Sequence, residues 1–165
     1  MQKILVSACL LGQKVRYDGG DCLQHGLLDA WQSDGRLVPF CPEVAGGLTV
    51  PRAPAEIVLG DADFVLRGCG MICTQHGDDV TDAFVDGAER ALAECMRHGI
   101  RIAILKEGSP SCGATRVNDG SFSGRKIDGL GVTARLLVRH GVHVFSEQQL
   151  DAAEAHLRQR ESSHG

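Results

Sequence analysis

Four short apolar runs constrain this chain most: Lys3 to Ala8 (KILVSA), Leu37 to Phe40, Ile100 to Leu105 and Val142 to Phe145. None has a helical period, and short apolar runs bounded by glycine-rich stretches read as strands buried on both faces. Helical patterns lie between them. From Asp79 to His98, the residues Val80, Phe84, Ala88, Ala91 and Cys95 recur at three and four positions, with Asp79 placed to cap and Gly99 to stop the helix. Cys22 to Ser33 and Val132 to His140 predict two shorter helices. Ser146-Glu147-Gln148-Gln149 fits a capping box, in which Ser146 accepts the Gln149 amide and Gln149 reaches back, ahead of an apolar stripe of Leu150, Ala153 and Leu157. Strands alternating with helices predict an α/β, Rossmann-like domain with a mainly parallel sheet flanked by helices, because a crossover helix is the short way to join parallel strands. Glu56 to Leu59 and Phe64 to Cys73, separated by Gly60-Asp61, predict a small antiparallel excursion. The expected organisation is one domain over residues 1–160 and a frayed polar tail over 161–165.

Composition narrows the function. With 165 residues and a net charge of −4, the chain lacks the basic excess of a nonspecific nucleic-acid binder. It has no run of roughly 18 to 20 apolar residues to span a membrane. Met1 to Leu11 lacks the basic, apolar, small-residue order of a signal peptide, so a cytoplasmic location is expected. Seven cysteines is an odd number, and a reducing compartment disfavours a disulfide framework. Metal binding, redox chemistry or burial remain for them.

Three cysteines follow predicted strands. Cys9 comes after the first, Cys41 directly after the second, and Cys112 a few residues beyond the third. Ligands of open α/β sheets bind outside the carboxyl ends of the strands, so these three loops can face one point. Cys41-Pro42 and Ser109-Pro110-Ser111-Cys112-Gly113 carry proline and glycine, which hold loops in specific shapes. A shaped loop ending in a thiolate suits an iron-sulfur, zinc or copper(I) site, and three ligands leave one position open to substrate. Burial remains the alternative, because cysteine is also a small core residue. It describes Cys95, on the stripe of the long helix, while Cys22 has no evident partner. Cys69 and Cys73 share a face of a predicted strand but lack close Cys-x-x-Cys ligand spacing, and are expected in the core.

The ordered motifs Ser7-Ala8-Cys9-Leu10-Leu11-Gly12 with Val15-Arg16-Tyr17-Asp18-Gly19, Cys41-Pro42-Glu43-Val44 with Gly46-Gly47-Leu48, Pro51-Arg52-Ala53-Pro54-Ala55-Glu56, Ala103-Ile104-Leu105-Lys106 with Ser109-Pro110-Ser111-Cys112-Gly113, Gly77-Asp78-Asp79-Val80-Thr81 and Gly131-Val132-Thr133-Ala134 resemble the thiouracil desulfurase family of small iron-sulfur-dependent desulfurases. The resemblance runs from about residue 3 to 147. It implies a 4Fe-4S cluster held by Cys9, Cys41 and Cys112, with one iron left open for the sulfur of a thiolated nucleobase, and it implies catalytic roles for Glu43 and Ser109. The implied reaction is non-redox: a thiolated pyrimidine such as 2-thiouracil becomes the oxo base and releases hydrosulfide. Glu43 would act as general base toward water and then help protonate a ring nitrogen, with Ser109 donating or relaying a hydrogen bond. One departure stands out. Thr49-Val50 precedes Pro51, where the family commonly has proline straight after Gly-Gly-Leu.

Other residues carry two readings. Arg52 contacts substrate or pins a loop; Asp18 is explained by turn chemistry; Lys106 and Glu107 fit a solvated loop; the segment from Asn118 to Gly131 covers the site or is simply long. The histidines form no constellation, with His140 and His143 straddling a helix end and a strand and His25, His76, His98, His156 and His164 isolated. Two other functions fit the cysteines. One is a cluster-dependent hydro-lyase on a small acid, which needs cations such as Arg16, Arg52 or Lys106; the other is a non-catalytic sulfide or metal carrier. The expected partners are a small thiolated base and the cluster-assembly machinery, with no membrane expected and nucleic acid disfavoured.

Overall fold

The computed structural model describes residues 1–20 and 26–164. Cys22, His25 and the first part of the helix expected from Cys22 lie outside the described residues. The elements run β1 (Ile4–Ser7), a 3-10 turn (Ala8–Leu11), α1 (Leu27–Ser33), β2 (Leu37–Phe40), α2 (Pro42–Ala45), β3 (Ala55–Leu59), α3 (Ala62–Leu66), β4 (Met71–Thr74), α4 (Thr81–His98), β5 (Ile102–Leu105), β6 (Arg116–Asn118), β7 (Lys126–Asp128), α5 (Val132–Arg139), β8 (His143–Ser146) and α6 (Leu150–His164).

The four apolar runs form one parallel sheet in the order β2-β1-β5-β8. Period two sorts their side chains. Ile4, Val6, Ile102 and Ile104 face α1 and α6, packing with Leu28, Trp31, Ala153 and Leu157, while Leu5, Ala103 and Leu105 face α4 and α5 with Ala91, Cys95, Ala134 and Leu137. Both central strands are therefore buried on two faces, which is why they read as unbroken apolar runs. Pro39 has no N–H to give a second neighbour, and β2 is an edge strand. The chain leaves β1 toward β2 on one side and later returns to β5 on the other, so the strand order reverses between β1 and β5.

β3 and β4 pair antiparallel as expected, but Phe64 to Arg67 are not strand. Asp61 accepts the Phe64 N–H and starts the short helix α3, so Cys69 lies in the following loop and Cys73 in β4. This excursion packs Ile57, Val65 and Ile72 onto Phe84 and Ala88 of α4 and Val132 of α5. The helix expected from Asp79 begins at Thr81, with Asp79 accepting the Thr81 N–H and hydroxyl. At the box before α6, Gln149 accepts the Ser146 N–H as expected, and the Ser146 hydroxyl takes the Gln148 amide.

Helix α6 continues to His164, into the polar segment. Glu161 reaches Arg36 at 3.3 Å, and earlier in the helix Glu154 accepts the Trp31 indole N–H at 3.1 Å. His156, expected to be isolated, has its ring 4.1 Å from that of His143, and burial, then the neighbouring His143 and Arg160, lower the His156 pKa. Among the described residues no helix is long and apolar enough to cross a membrane.

Candidate active site at the carboxyl ends of the strands

Cys9, Cys41 and Cys112 all line one cavity of about 300 Å³ beyond the carboxyl ends of β1, β2 and β5. That is where an open α/β sheet with a reversal of strand order leaves a crevice. Cys9 sits in the 3-10 turn that leaves β1 and ends at Gly12, whose φ of 90° suits glycine. Cys41 is the residue before Pro42, the first residue of α2, in the extended conformation that proline imposes on its predecessor.

Helix α2 is held in place by contact between backbones. A Cβ on Gly87 of α4 would lie 2.0 Å from the Pro42 carbonyl oxygen, and one on Gly46 would lie 2.0 Å from that of Ala83. The glycine inside α4 costs helix propensity and lets the segment bearing Cys41 and Glu43 press against it.

The loop carrying Cys112 is fixed by the start of α5. The first amides of that helix lack intrahelical acceptors, and here Val132 N–H bonds to the Pro110 carbonyl at 2.8 Å and Thr133 N–H to that of Ser111 at 2.9 Å. The Ser111 and Thr133 hydroxyls meet at 2.9 Å.

Ser109 ties this loop to Glu43. Its oxygen accepts the amides of Ser111 at 3.0 Å and Cys112 at 3.1 Å, which leaves its hydrogen for Glu43 Oε2 at 3.3 Å. Arg52 donates from Nε to Glu43 Oε1 at 3.2 Å, and its other nitrogens reach the carbonyls of Thr49 and Val15. Both readings of Arg52 are thereby resolved toward pinning: it fastens two loops and orients Glu43, and its side chain is 8% exposed.

Burial dominates the thiols. It raises the pKa of Cys112, with the Ser7 hydroxyl opposing and the charges of Glu43, Cys41 and Cys9 adding to the rise. Burial also raises that of Cys41, which the Val44 amide partly offsets before the Glu43 charge adds to it and Arg52 opposes it. Crowded thiols of this kind lose their protons readily only to a cation. Among the described residues no three Cys, His, Asp or Glu side chains converge on a single metal ion. A cluster asks for something different, since each thiolate takes its own iron, and this soft donor set around one cavity fits such a group.

Lys106 and Glu107 are not a solvated loop. Lys106 Nζ pairs with Glu147 at 3.0 Å, and Glu147 also accepts the Glu107 N–H. Glu107 accepts the amides of Gly108, Thr115 and Arg116 and the Thr115 hydroxyl. Burial raises its pKa, and these hydrogen bonds outweigh burial and leave the carboxyl below the usual value. Part of the segment from Asn118 onward is the antiparallel hairpin β6–β7, which brings Asn118 and Lys126 to the cavity. Glu56, 6% exposed, accepts the amides of Gly120 and Phe122 from its turn. The sequence signal for this hairpin is the pair of three-residue stretches centred on Val117 and Ile127 around a glycine-rich turn. Cys69, Cys73 and Cys95 do not line the cavity; Cys69 is exposed and Cys73 partly buried, so of these only Cys95 is fully buried core.

An open parallel sheet with a three-cysteine cavity at the point of strand reversal defines a small α/β protein built around a soft-ligand site. The family model for 2-thiouracil desulfurase matches residues 4–149, and the chain belongs to that family. It is 43% identical over 148 residues to the Bacillus subtilis protein YbbK, itself uncharacterized, covering 90% of this chain and 97% of that one. It is also similar to the solved structure of the [4Fe-4S]-dependent thiouracil desulfidase TudS, with a TM-score of 0.88 and 49% identity over 96% of this chain and 99% of that one. The architecture expected from the sequence, a parallel sheet flanked by helices with a small antiparallel part, is the one found.

Proposed function

We propose that this chain converts a thiolated pyrimidine base of the 2-thiouracil kind into its oxo base, releasing hydrosulfide. The observation that carries the reading is the Ser109 hydroxyl, which bonds the Cys112 amide on one side and Glu43 on the other. It joins a candidate cofactor ligand to a candidate general base within one cavity. Family membership and the similarity to a [4Fe-4S]-dependent thiouracil desulfidase support the same reaction.

In this reading Cys9, Cys41 and Cys112 hold a 4Fe-4S cluster, which supplies at its cysteine-free iron a soft Lewis acid for the thiocarbonyl sulfur. Glu43, fixed at Oε1 by Arg52, takes a proton from the water that attacks the ring carbon. Ser109 holds Oε2 toward that carbon and relays hydrogen bonding as the proton passes to a ring nitrogen. A carbon–oxygen bond replaces the carbon–sulfur bond, whose electron pair departs with the hydrosulfide, so neither oxidant nor reductant enters. The reaction belongs in a reducing cytoplasm, with the cluster delivered by assembly proteins.

Arg52 and Lys106 are both bound to carboxylates of the chain, so a hydro-lyase acting here would take its carboxylate on Arg16 or Lys126, the other cations lining the cavity. The test is anaerobic reconstitution with iron and sulfide followed by 2-thiouracil, without added reductant. Hydrosulfide and uracil should appear in equal amounts, and Glu43→Gln should keep iron while turnover stops. A loaded protein that leaves 2-thiouracil intact but dehydrates a hydroxy acid overturns the reading. Turnover that survives Glu43→Gln overturns the role given to that residue.

A further inference from the structure

Most polar side chains lining the cavity already have partners within the chain. Arg52 binds Glu43 and two carbonyls, Ser7 accepts the Lys106 amide, Lys106 pairs with Glu147, and Glu107 holds the base of the hairpin. Asn118 and Lys126 differ. Both line the cavity, and among the described residues neither side chain has a hydrogen-bond or ion-pair partner.

The two are direct cross-strand partners in the β6–β7 ribbon, so an amide and an ammonium stand side by side on one face. Lys126 leans inward: a Cβ added to Gly108 would lie 3.1 Å from its Nζ, next to the start of the Ser109 loop. The ribbon that presents them is fastened by buried or half-buried carboxylates at both ends, Glu107 at its base and Glu56 at its turn. A donor, a donor-acceptor amide and a fixed backbone make a recognition edge whose capacity the protein itself leaves unused.

We propose that Asn118 and Lys126 are the specificity subsite that reads the oxo edge of the pyrimidine, an inference that rests on the reaction proposed above. When the sulfur-bearing C2 meets Glu43 and Ser109, the ring still offers a carbonyl oxygen at C4 and an N–H at N3. Lys126 donates to the 4-oxygen, and the Asn118 amide donates to it and accepts from N3. A ring lacking the 4-oxygen leaves the lysine without an acceptor, and a site built to hydrogen-bond a group discriminates against an analogue that lacks it.

The test compares the reconstituted holoenzyme and its Lys126→Ala, Lys126→Arg and Asn118→Ala variants on 2-thiouracil and on pyrimidine-2-thione, which has no 4-oxygen, together with equilibrium binding of uracil. Lys126→Ala and Asn118→Ala should raise KM for 2-thiouracil and Kd for uracil by about tenfold, the size of one lost hydrogen bond to a charged or buried group. The KM for pyrimidine-2-thione should stay within about twofold, and Lys126→Arg should recover most of the uracil binding. A purely structural role would move both substrates alike, and that result, or unchanged uracil binding, overturns the subsite. Wild-type protein that binds uracil through Lys126 but leaves 2-thiouracil intact overturns the reaction and keeps the subsite.

Discussion

Cys95 and Cys112 pack in the same apolar cluster and are almost equally buried, at 2% and 5% exposure, yet only Cys112 opens to the cavity. Burial raises both thiols, that of Cys95 to about 12 with the Glu94 charge adding to the rise. Neither burial nor a raised pKa separates the proposed ligand Cys112 from the core residue Cys95. What separates them is the backbone that carries each one. Cys95 lies on the inward stripe of an 18-residue helix, whose amides and carbonyls bond to one another. Cys112 lies on a loop past a strand end, where the amides are free to bond the Ser109 hydroxyl and the carbonyls cap α5.

The largest effect should come from replacing the three cavity cysteines, set against replacement of Cys95. Cys9→Ser, Cys41→Ser and Cys112→Ser should each abolish iron uptake and turnover, whereas Cys95→Ala should keep both and lose about 1 kcal/mol of stability in denaturant titration. Iron retained in full by Cys112→Ser would erase the distinction drawn between the two positions.

Next in size are the groups beside Cys112. Ser109→Ala removes the acceptor of two amides as well as the donor to Glu43. Turnover should fall by roughly 10² to 10⁴, the usual worth of general acid–base assistance. Iron content at saturation should hold, while amide exchange at Ser111 and Cys112 accelerates.

On the helix side, Gly87→Ala puts a Cβ against the Pro42 carbonyl, so α2 must shift. Stability should drop by about 1 to 3 kcal/mol, as for other overpacked sites, and turnover should fall with it because Glu43 rides on α2.

The smallest effect concerns pH. Glu107 has a carboxyl pKa lowered from 4.5, so the folded state favours its ionised form. Its contribution is fully present above about 4.5, the unfolded value, and is lost as pH falls through the lower folded value. Exchange of the Thr115 and Arg116 amides should therefore accelerate below that pH, and Glu107→Gln should remove the pH dependence.

The parallel sheet was legible because continuous apolar runs have no other use at that length, and the cysteine convergence followed from where those runs end. Glu43 and Ser109 were reached through the family resemblance alone, and the hydrogen bond between them spans 66 residues, a separation no local pattern encodes. The helix α3 was hidden because Phe64 to Leu66 is apolar without a full helical turn of evidence, and the Asp61 cap decides it. The anchoring by Glu107 and Glu56 was equally hidden, since a carboxylate that accepts backbone amides from a distant hairpin looks in sequence like any solvated acid. The contact of Glu161 with Arg36 was hidden for a related reason, since a single long-range ion pair leaves no local pattern in a polar segment.

The most direct test of the account is Mössbauer spectroscopy of the protein reconstituted anaerobically with ⁵⁷Fe, recorded before and after addition of 2-thiouracil. With Cys9, Cys41 and Cys112 as the ligands, one iron subsite should be distinct from the rest and should change when the thiolated base binds. Iron subsites that are all alike, or that ignore the substrate, would contradict the claim that these three loops hold a cofactor with a position open to sulfur.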